Sequence, residues 1–211
     1  MHFEKIIPAP KYVYRFLPED FVEAACAGKF LLRRLSYYRG LEGLSDRGDD
    51  LDGAVRAKLN VTGHDSPSWE PDPLLLKVGI YAANCTNGTI NAAKTTVIED
   101  KYFVLCTSLN RPEALGSEGR NAIIRISNIV EFTRAIASRH RDEIRKFHVG
   151  PVDYKEREFD VREADLAPSA FVKQPRFAHE QEVRFLWEAR GSQDNLLTDC
   201  PDAGALVERV G

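Results

Sequence analysis

Two glutamates one residue apart, Glu180 and Glu182, stand directly before the apolar Val183, Phe185 and Leu186. In a strand, side chains two positions apart project from the same side, so both carboxylates would share a face. Close carboxylates repel, and one of them tends to a raised pKa, which suits a general base or a group that stabilises a developing cation. The competing reading is a charged, solvated strand start paired with Arg184 or Arg176. Arg15 lies between Tyr14 and Phe16 in an apolar, aromatic run. Pointing inward, its guanidinium needs a partner or an anionic ligand such as a phosphate; pointing outward, it meets water. Cys106-Thr107-Ser108 closes the run Tyr102-Phe103-Val104-Leu105. Hydroxyls at a strand end can orient a neighbouring carboxylate or bond a ribose hydroxyl, and they equally suit a turn into Asn110-Arg111-Pro112.

Tyr37 and Tyr38, beside Arg39, could sandwich a planar ring. The acidic stretch with Asp49, Asp50 and Asp52 could hold a divalent cation, although it lacks the ligand order of an EF-hand and reads first as a solvated turn. The histidines His2, His64, His140, His148 and His179 lack metal-ligand spacing, and the four cysteines, at 26, 85, 106 and 200, form neither a zinc knuckle nor a CxxC pair. No resident metal is expected. The absence of G-x-S-x-G and of a phosphate-binding glycine loop sets aside the α/β-hydrolase and P-loop classes.

The elements that must position these groups are mostly short strands. Strands are expected at Lys11–Leu17, Phe30–Ser36, Val55–Val61, Leu74–Ile80, Thr95–Ile98, Tyr102–Thr107, Ala122–Ile126 and Glu182–Ala189, with a strand pair around Phe147–Tyr154. Thr95–Ile98 and Tyr102–Thr107 read as a hairpin closed by Glu99-Asp100-Lys101. A short helix before Gly28 and a longer one over Asn128–Ile144, with Ile129, Phe132, Ile136 and His140 on one face, complete the pattern. This is a mixed α+β chain with mostly antiparallel sheets and few short helices, not a regular βαβ alternation. With 211 residues, 43% apolar and 29% charged, it is expected to form one domain over 1–211. A net charge of −3 gives no whole-surface attraction to nucleic acid or anionic membrane. No stretch approaches the roughly 20 apolar residues of a membrane span, nor is a secretory leader present, so the expectation is a cytoplasmic protein.

The order Arg15 in a first strand, Cys106-Thr107-Ser108 ending a middle strand and Glu180-Gln181-Glu182 starting a late strand resembles the Arg, Ser-Thr-Ser, Glu-x-Glu order of cholera-toxin-like and clostridial ADP-ribosyltransferases. The resemblance implies a split-sheet core and NAD as substrate. Arg15 would hold the phosphates, Ser108 with Thr107 would support the site, Glu182 would stabilise the ribosyl cation, and Glu180 would activate the acceptor, an unknown protein or nucleic acid. Phe171–Phe177 would be the substrate-contacting loop. The N-terminal third is similar to the poly-ADP-ribose polymerase and DarT-like branches, in which a second-strand tyrosine stacks on nicotinamide; Tyr37 or Tyr38 would do so here. LRRLSYYR, RGDDLDG and FAHEQEVRF also look like uncharacterised bacterial toxin-like or phage-defence proteins, which implies an antitoxin or immunity partner. Two other classes fit the same residues. One is a metal-dependent nuclease using Asp49, Asp50 or Asp52 with Glu180 or Glu182. The other is a non-catalytic module that docks protein or RNA through the arginines of 134–145.

Overall fold

The computed structural model describes residues 10–39, 54–66, 70, 73–76, 85–98, 100–111, 121–156, 158–160 and 169–211. The two most apolar runs set the architecture. β5 (Tyr102–Ser108) and β11 (Glu182–Ala189) carry apolar side chains at consecutive positions, and such strands must be covered on both faces. They pair antiparallel, Glu182 opposite Ser108 through Glu188 opposite Tyr102. The outer edge of β11 is taken by β7 (Ile144–Pro151).

The other edge of β5 is shared by two strands. β2 (Leu31–Arg34) pairs with Phe103 and Val104, whereas β1 (Tyr12–Leu17) meets only Ser108, through Tyr14. The sheet forks there. One branch continues from β2 to β12 (Asn195–Leu197), and the other from β1 through β6 (Ala122–Ser127) to β13 (Val207–Arg209). These eight strands form one sheet. A separate three-stranded sheet joins β3 (Ala54–Ser66), β4 (Cys85–Ile98) and β9 (Glu158–Asp160), and β8 (Asp153–Tyr154) pairs in parallel with β10 (Val172–Lys173). The fold is mixed α+β and mostly antiparallel, with few short helices.

One face of the β5–β11 pair belongs to the large core. Phe185 and Trp187 stack at 6.0 Å between ring centres, Phe132 meets Phe185 edge-on, and the Trp187 indole N–H donates to the Thr133 carbonyl at 3.0 Å. Phe132 and Thr133 lie on α4 (Ile129–Arg139), whose buried side chains Ile129, Phe132, Thr133, Ile136 and Ala137 repeat at helical spacing. Each such fully buried large side chain contributes about 1.5–3 kcal/mol. The opposite face carries a smaller apolar cluster of Leu35, Tyr102, Val104, Ala170 and Leu186, with Tyr38, Cys106 and Phe171 packed against it.

Four expectations need correction. The second strand ends at Arg34, and Leu35–Arg39 is a helix, α2, so Tyr37 and Tyr38 are helical residues. Its Leu35 is fully buried and anchors the turn of chain to the small cluster, which ends the strand two residues before the expected Ser36. Pro73–Leu76 is likewise a short helix, α3, and not the start of a strand; residues 77–80 lie outside the described residues. Thr95–Ile98 and Tyr102–Thr107 are not a hairpin, because β4 pairs with β3 while β5 pairs with β11. The long helix stops at Arg139, since Ile144 and Phe147 are buried as members of β7. Among the described residues no helix is long and apolar enough to cross a membrane.

Candidate functional site

The site lies where β11 begins. Pro175–Glu180 forms a 3-10 turn that opens on proline, and Gln181 leaves it in the left-handed region at φ +43°, ψ 50°. Strand alternation therefore does not bring Glu180 and Glu182 together: Glu180 is the last residue of the turn and Glu182 the first of the strand. Their carboxylates converge instead on one ammonium. Lys173 Nζ donates to Glu180 Oε2 at 2.5 Å and to Glu182 Oε2 at 3.2 Å. Glu182 also accepts from Arg184, Nε to Oε1 at 2.7 Å and Nη2 to Oε2 at 3.2 Å, while Arg184 Nη1 donates to the Ala170 carbonyl at 2.7 Å. The Cys106 thiol donates a further hydrogen bond to the Glu182 carboxylate.

Burial makes this network strongly coupled. Arg184 is 0% exposed, Glu182 4% and Lys173 7%. Desolvation alone would raise the Glu182 pKa, but Arg184 and Lys173 outweigh it and hold the carboxyl at about 2 instead of 4.5. Burial would likewise lower the Lys173 pKa, and the charges of Glu182 and Glu180 outweigh that too, so it is raised. Burial and the neighbouring carboxylates raise the Tyr154 hydroxyl, which accepts the Glu182 N–H at 2.7 Å. Two cations and Glu182 are buried together, and the half-buried Glu180 closes the group from its edge.

The sign of the pH dependence follows. Glu182 has a folded pKa below its ordinary value, so its contribution is complete above pH 4.5 and is lost as pH falls toward about 2. The urea midpoint is expected to fall across that window in the wild type and more weakly in Glu182→Gln. Identical pH slopes in the two proteins would contradict the ion network. Lys173, with a raised pKa, contributes below 10.5 and loses this only at still higher pH, so the network is intact through neutrality.

The hydroxyls on β5 are used against β11. Thr107 Oγ1 donates to the Val183 carbonyl and Ser108 Oγ to the Glu180 carbonyl, each at 2.8 Å. Ser108 thereby fixes the backbone of the Glu-x-Glu turn, and Thr107 is buried behind it. Tyr14, Ser108 and Glu182 form one cross-strand row and start from one face.

Arg15, one position on from Tyr14, starts from the other face beside the buried Val13 and Leu17. Its Nη1 reaches the fork and donates to the Cys106 carbonyl at 2.7 Å. The structure therefore links Arg15 to Glu182 through Cys106, whose carbonyl serves the one and whose thiol serves the other; it does not place the two charges in contact. Arg15→Ala is expected to cost about 1–3 kcal/mol, because the carbonyl at the fork loses its donor. Chemical denaturation measures it, and an unchanged midpoint would deny the pinning role.

Of the two tyrosines, Tyr37 is 40% exposed, with the Arg33 guanidinium 3.9 Å from its ring centre. Tyr38 packs against the small cluster, as Cys106 and Phe171 do, on the face of Glu182. Asp49, Asp50 and Asp52 lie outside the described residues. Comparison with protein-family models, with curated proteins and with solved structures gives no match.

Sequence reasoning missed Lys173 and Tyr154. Lys173 sits in a two-residue strand next to Val172, and the parallel pairing of β10 with β8 sets it opposite Tyr154. The available signal was a cation flanked by Phe171 and Val172, nine positions before Glu182.

Proposed function

We propose that this chain is an NAD-dependent ADP-ribosyltransferase-like protein that uses Glu182 as the cation-stabilising carboxylate. One observation carries the reading: three segments far apart in sequence meet at a fork in one sheet, with Ser108 between Tyr14 and Glu182 and Arg15 bonded to Cys106. Their order across the sheet matches their order along the chain, and the fork at one edge of β5 is in keeping with the split-sheet core that the resemblance implies.

In this reading the bond from nicotinamide to ribose breaks and nicotinamide leaves neutral with the electron pair. The positive charge passes to the ribose, where an ionised Glu182 faces it. A nucleophilic group of the acceptor macromolecule then adds to the ribose, and Glu180 takes its proton. Arg15 has guanidinium donors beyond the one given to Cys106 with which to meet the phosphates. Tyr38 is the aromatic assigned to nicotinamide, because it packs against the small cluster that also receives Cys106, on the face of Glu182. Substrate reaches the buried Glu182 once Lys173 and its neighbours move aside.

The alternatives have less behind them. Lys173 already fills the cation position between Glu180 and Glu182, and among the described residues no group of three or more His, Cys, Asp or Glu side chains could hold a metal. In α4 and the following turn, Arg134 pairs with Glu131 and Arg139 donates to the Asp199 carbonyl, which leaves that surface less available to RNA.

Incubation with NAD labelled in the nicotinamide and in the adenylate, with and without cell extract, tests the reading. Release of nicotinamide with label retained on a macromolecule is the expected result. No release under any condition would overturn it.

A further inference from the structure

We infer that Arg184 is the positioning residue of Glu182: it holds both carboxylate oxygens from the same strand and leaves one direction on Oε2 for the substrate. The inference rests on the transferase reading above. Its basis is how the acceptor directions of the carboxylate are divided. An ionised carboxylate offers about four lone-pair directions. Arg184 takes one on each oxygen, Nε on Oε1 and Nη2 on Oε2. The Cys106 thiol takes one more, and Lys173 takes one on Oε2.

The three partners differ in what holds them. Lys173 belongs to β10, contacts Glu182 through a single 3.2 Å bond and is shared with Glu180 at 2.5 Å. When it withdraws, one direction on Oε2 is vacated, and Glu180 is released in the same step. Arg184 cannot withdraw with it. It sits two residues along β11, is completely buried, and opposes Cys106 of β5 on one side and Gly150 of β7 on the other. After Lys173 leaves, Arg184 is the one cation among the described residues still bonded to Glu182, and it keeps the carboxylate ionised and aimed. A two-point grip fixes the plane of the carboxylate, which a single ammonium does not.

Arg184 also ties the cover to the site. Nη1 donates to the Ala170 carbonyl, so the guanidinium senses the segment leading to Lys173. The charged and titratable groups facing Glu182 are Arg184 on its own strand, Lys173 on β10, Glu180 in the preceding turn, Tyr154 on β8 and Cys106 on β5. Among the described residues, only Arg184 and Lys173 of these are cations.

The test measures nicotinamide release against pH in the wild type, Arg184→Gln and Arg184→Lys. It runs beside a carboxyl NMR titration of Glu182, assigned by the signal that Glu182→Gln lacks. The wild type is expected to keep its rate down to the pH at which it unfolds. In Arg184→Gln the carboxyl titration and the acid limb of the rate are expected to rise together by about 1–3 pH units. Arg184→Lys is expected to restore the acid limb but not the geometry, with kcat down by up to about 10²-fold and KM for NAD little changed. If Arg184→Gln does not fold, Arg184→Lys decides, and a wild-type kcat in that variant overturns the inference. An active Arg184→Gln whose acid limb stays in place overturns it too, and leaves the transferase reading standing. A wild type that releases no nicotinamide removes both.

Discussion

Glu182→Gln is expected to reduce nicotinamide release by about 10²–10³, the loss that follows removal of one preorganised electrostatic group. It is also expected to destabilise the fold by about 3–5 kcal/mol, because one partner of a buried ion pair is lost from the network. The amide keeps the shape of the carboxylate and one acceptor oxygen, so what is lost is charge. The fully buried Arg184 then loses the charge of Glu182, and among the described residues Lys173 keeps its ion pair with Glu180. In a chain of this size the stability loss appears as a fall in Tm on the order of 10 °C. The two readouts separate catalysis from folding. A rate that falls only as far as the unfolded fraction at the assay temperature would reduce Glu182 to a structural residue. A full wild-type rate in folded protein would end its assignment as the cation-stabilising group.

Legibility in the sequence followed burial. β11, β5 and β6 are legible as continuous apolar runs buried on both faces, and α4 as a helical period with one buried face. The resemblance sets Tyr37 or Tyr38 in the second strand, whereas the helix they occupy is fixed by Leu35 against Tyr102, Val104, Ala170 and Leu186, contacts no local pattern shows. The false hairpin at Glu99-Asp100-Lys101 has a related cause. Asp100 is tied to the helix that follows β2, through the Ser36 N–H to Oδ1 at 2.7 Å, and its carbonyl accepts from Arg34.

The site was half legible for the same reason. Arg184 could be proposed as a partner of the glutamates because it is two residues away. Lys173 and Tyr154 could not, because the two-residue strands β8 and β10 carry no period and their pairing is decided by tertiary contact. Even the convergence of Glu180 and Glu182 has a different origin from the expected one: a left-handed residue ends a turn, and no strand alternation operates.

Gly28→Ala is expected to cost about 3–5 kcal/mol, the sum of a left-handed backbone that disfavours side chains and a backbone overlap that cannot relax. Gly28 ends α1 (Val22–Cys26) at φ +81°, and a Cβ there would lie 1.8 Å from the Cys200 carbonyl oxygen. That carbonyl cannot step aside, since it accepts the Ala203 and Gly204 N–H groups at 3.0 Å and so begins α5 (Pro201–Gly204). Gly28 meets the same loop again through its own carbonyl, which accepts from Thr198 Oγ1 at 2.8 Å and from the Cys200 N–H at 3.2 Å.

Gly204 is the opposite half of this contact. A Cβ on it would lie 2.6 Å from both the Cys26 carbonyl oxygen and the Gly28 nitrogen, so Gly204→Ala forces the same two segments apart. The two substitutions share one displacement, and the double variant is therefore expected to cost less than the sum of the singles. Gly150→Ala is the control, because among the described residues its Cβ would meet only Phe171, at 3.8 Å, and should shift stability by no more than about 1 kcal/mol. Urea denaturation of the four proteins decides the matter. Strict additivity at 28 and 204 would mean that the two glycines act separately, and that α1 and α5 are not locked by the close approach of their backbones.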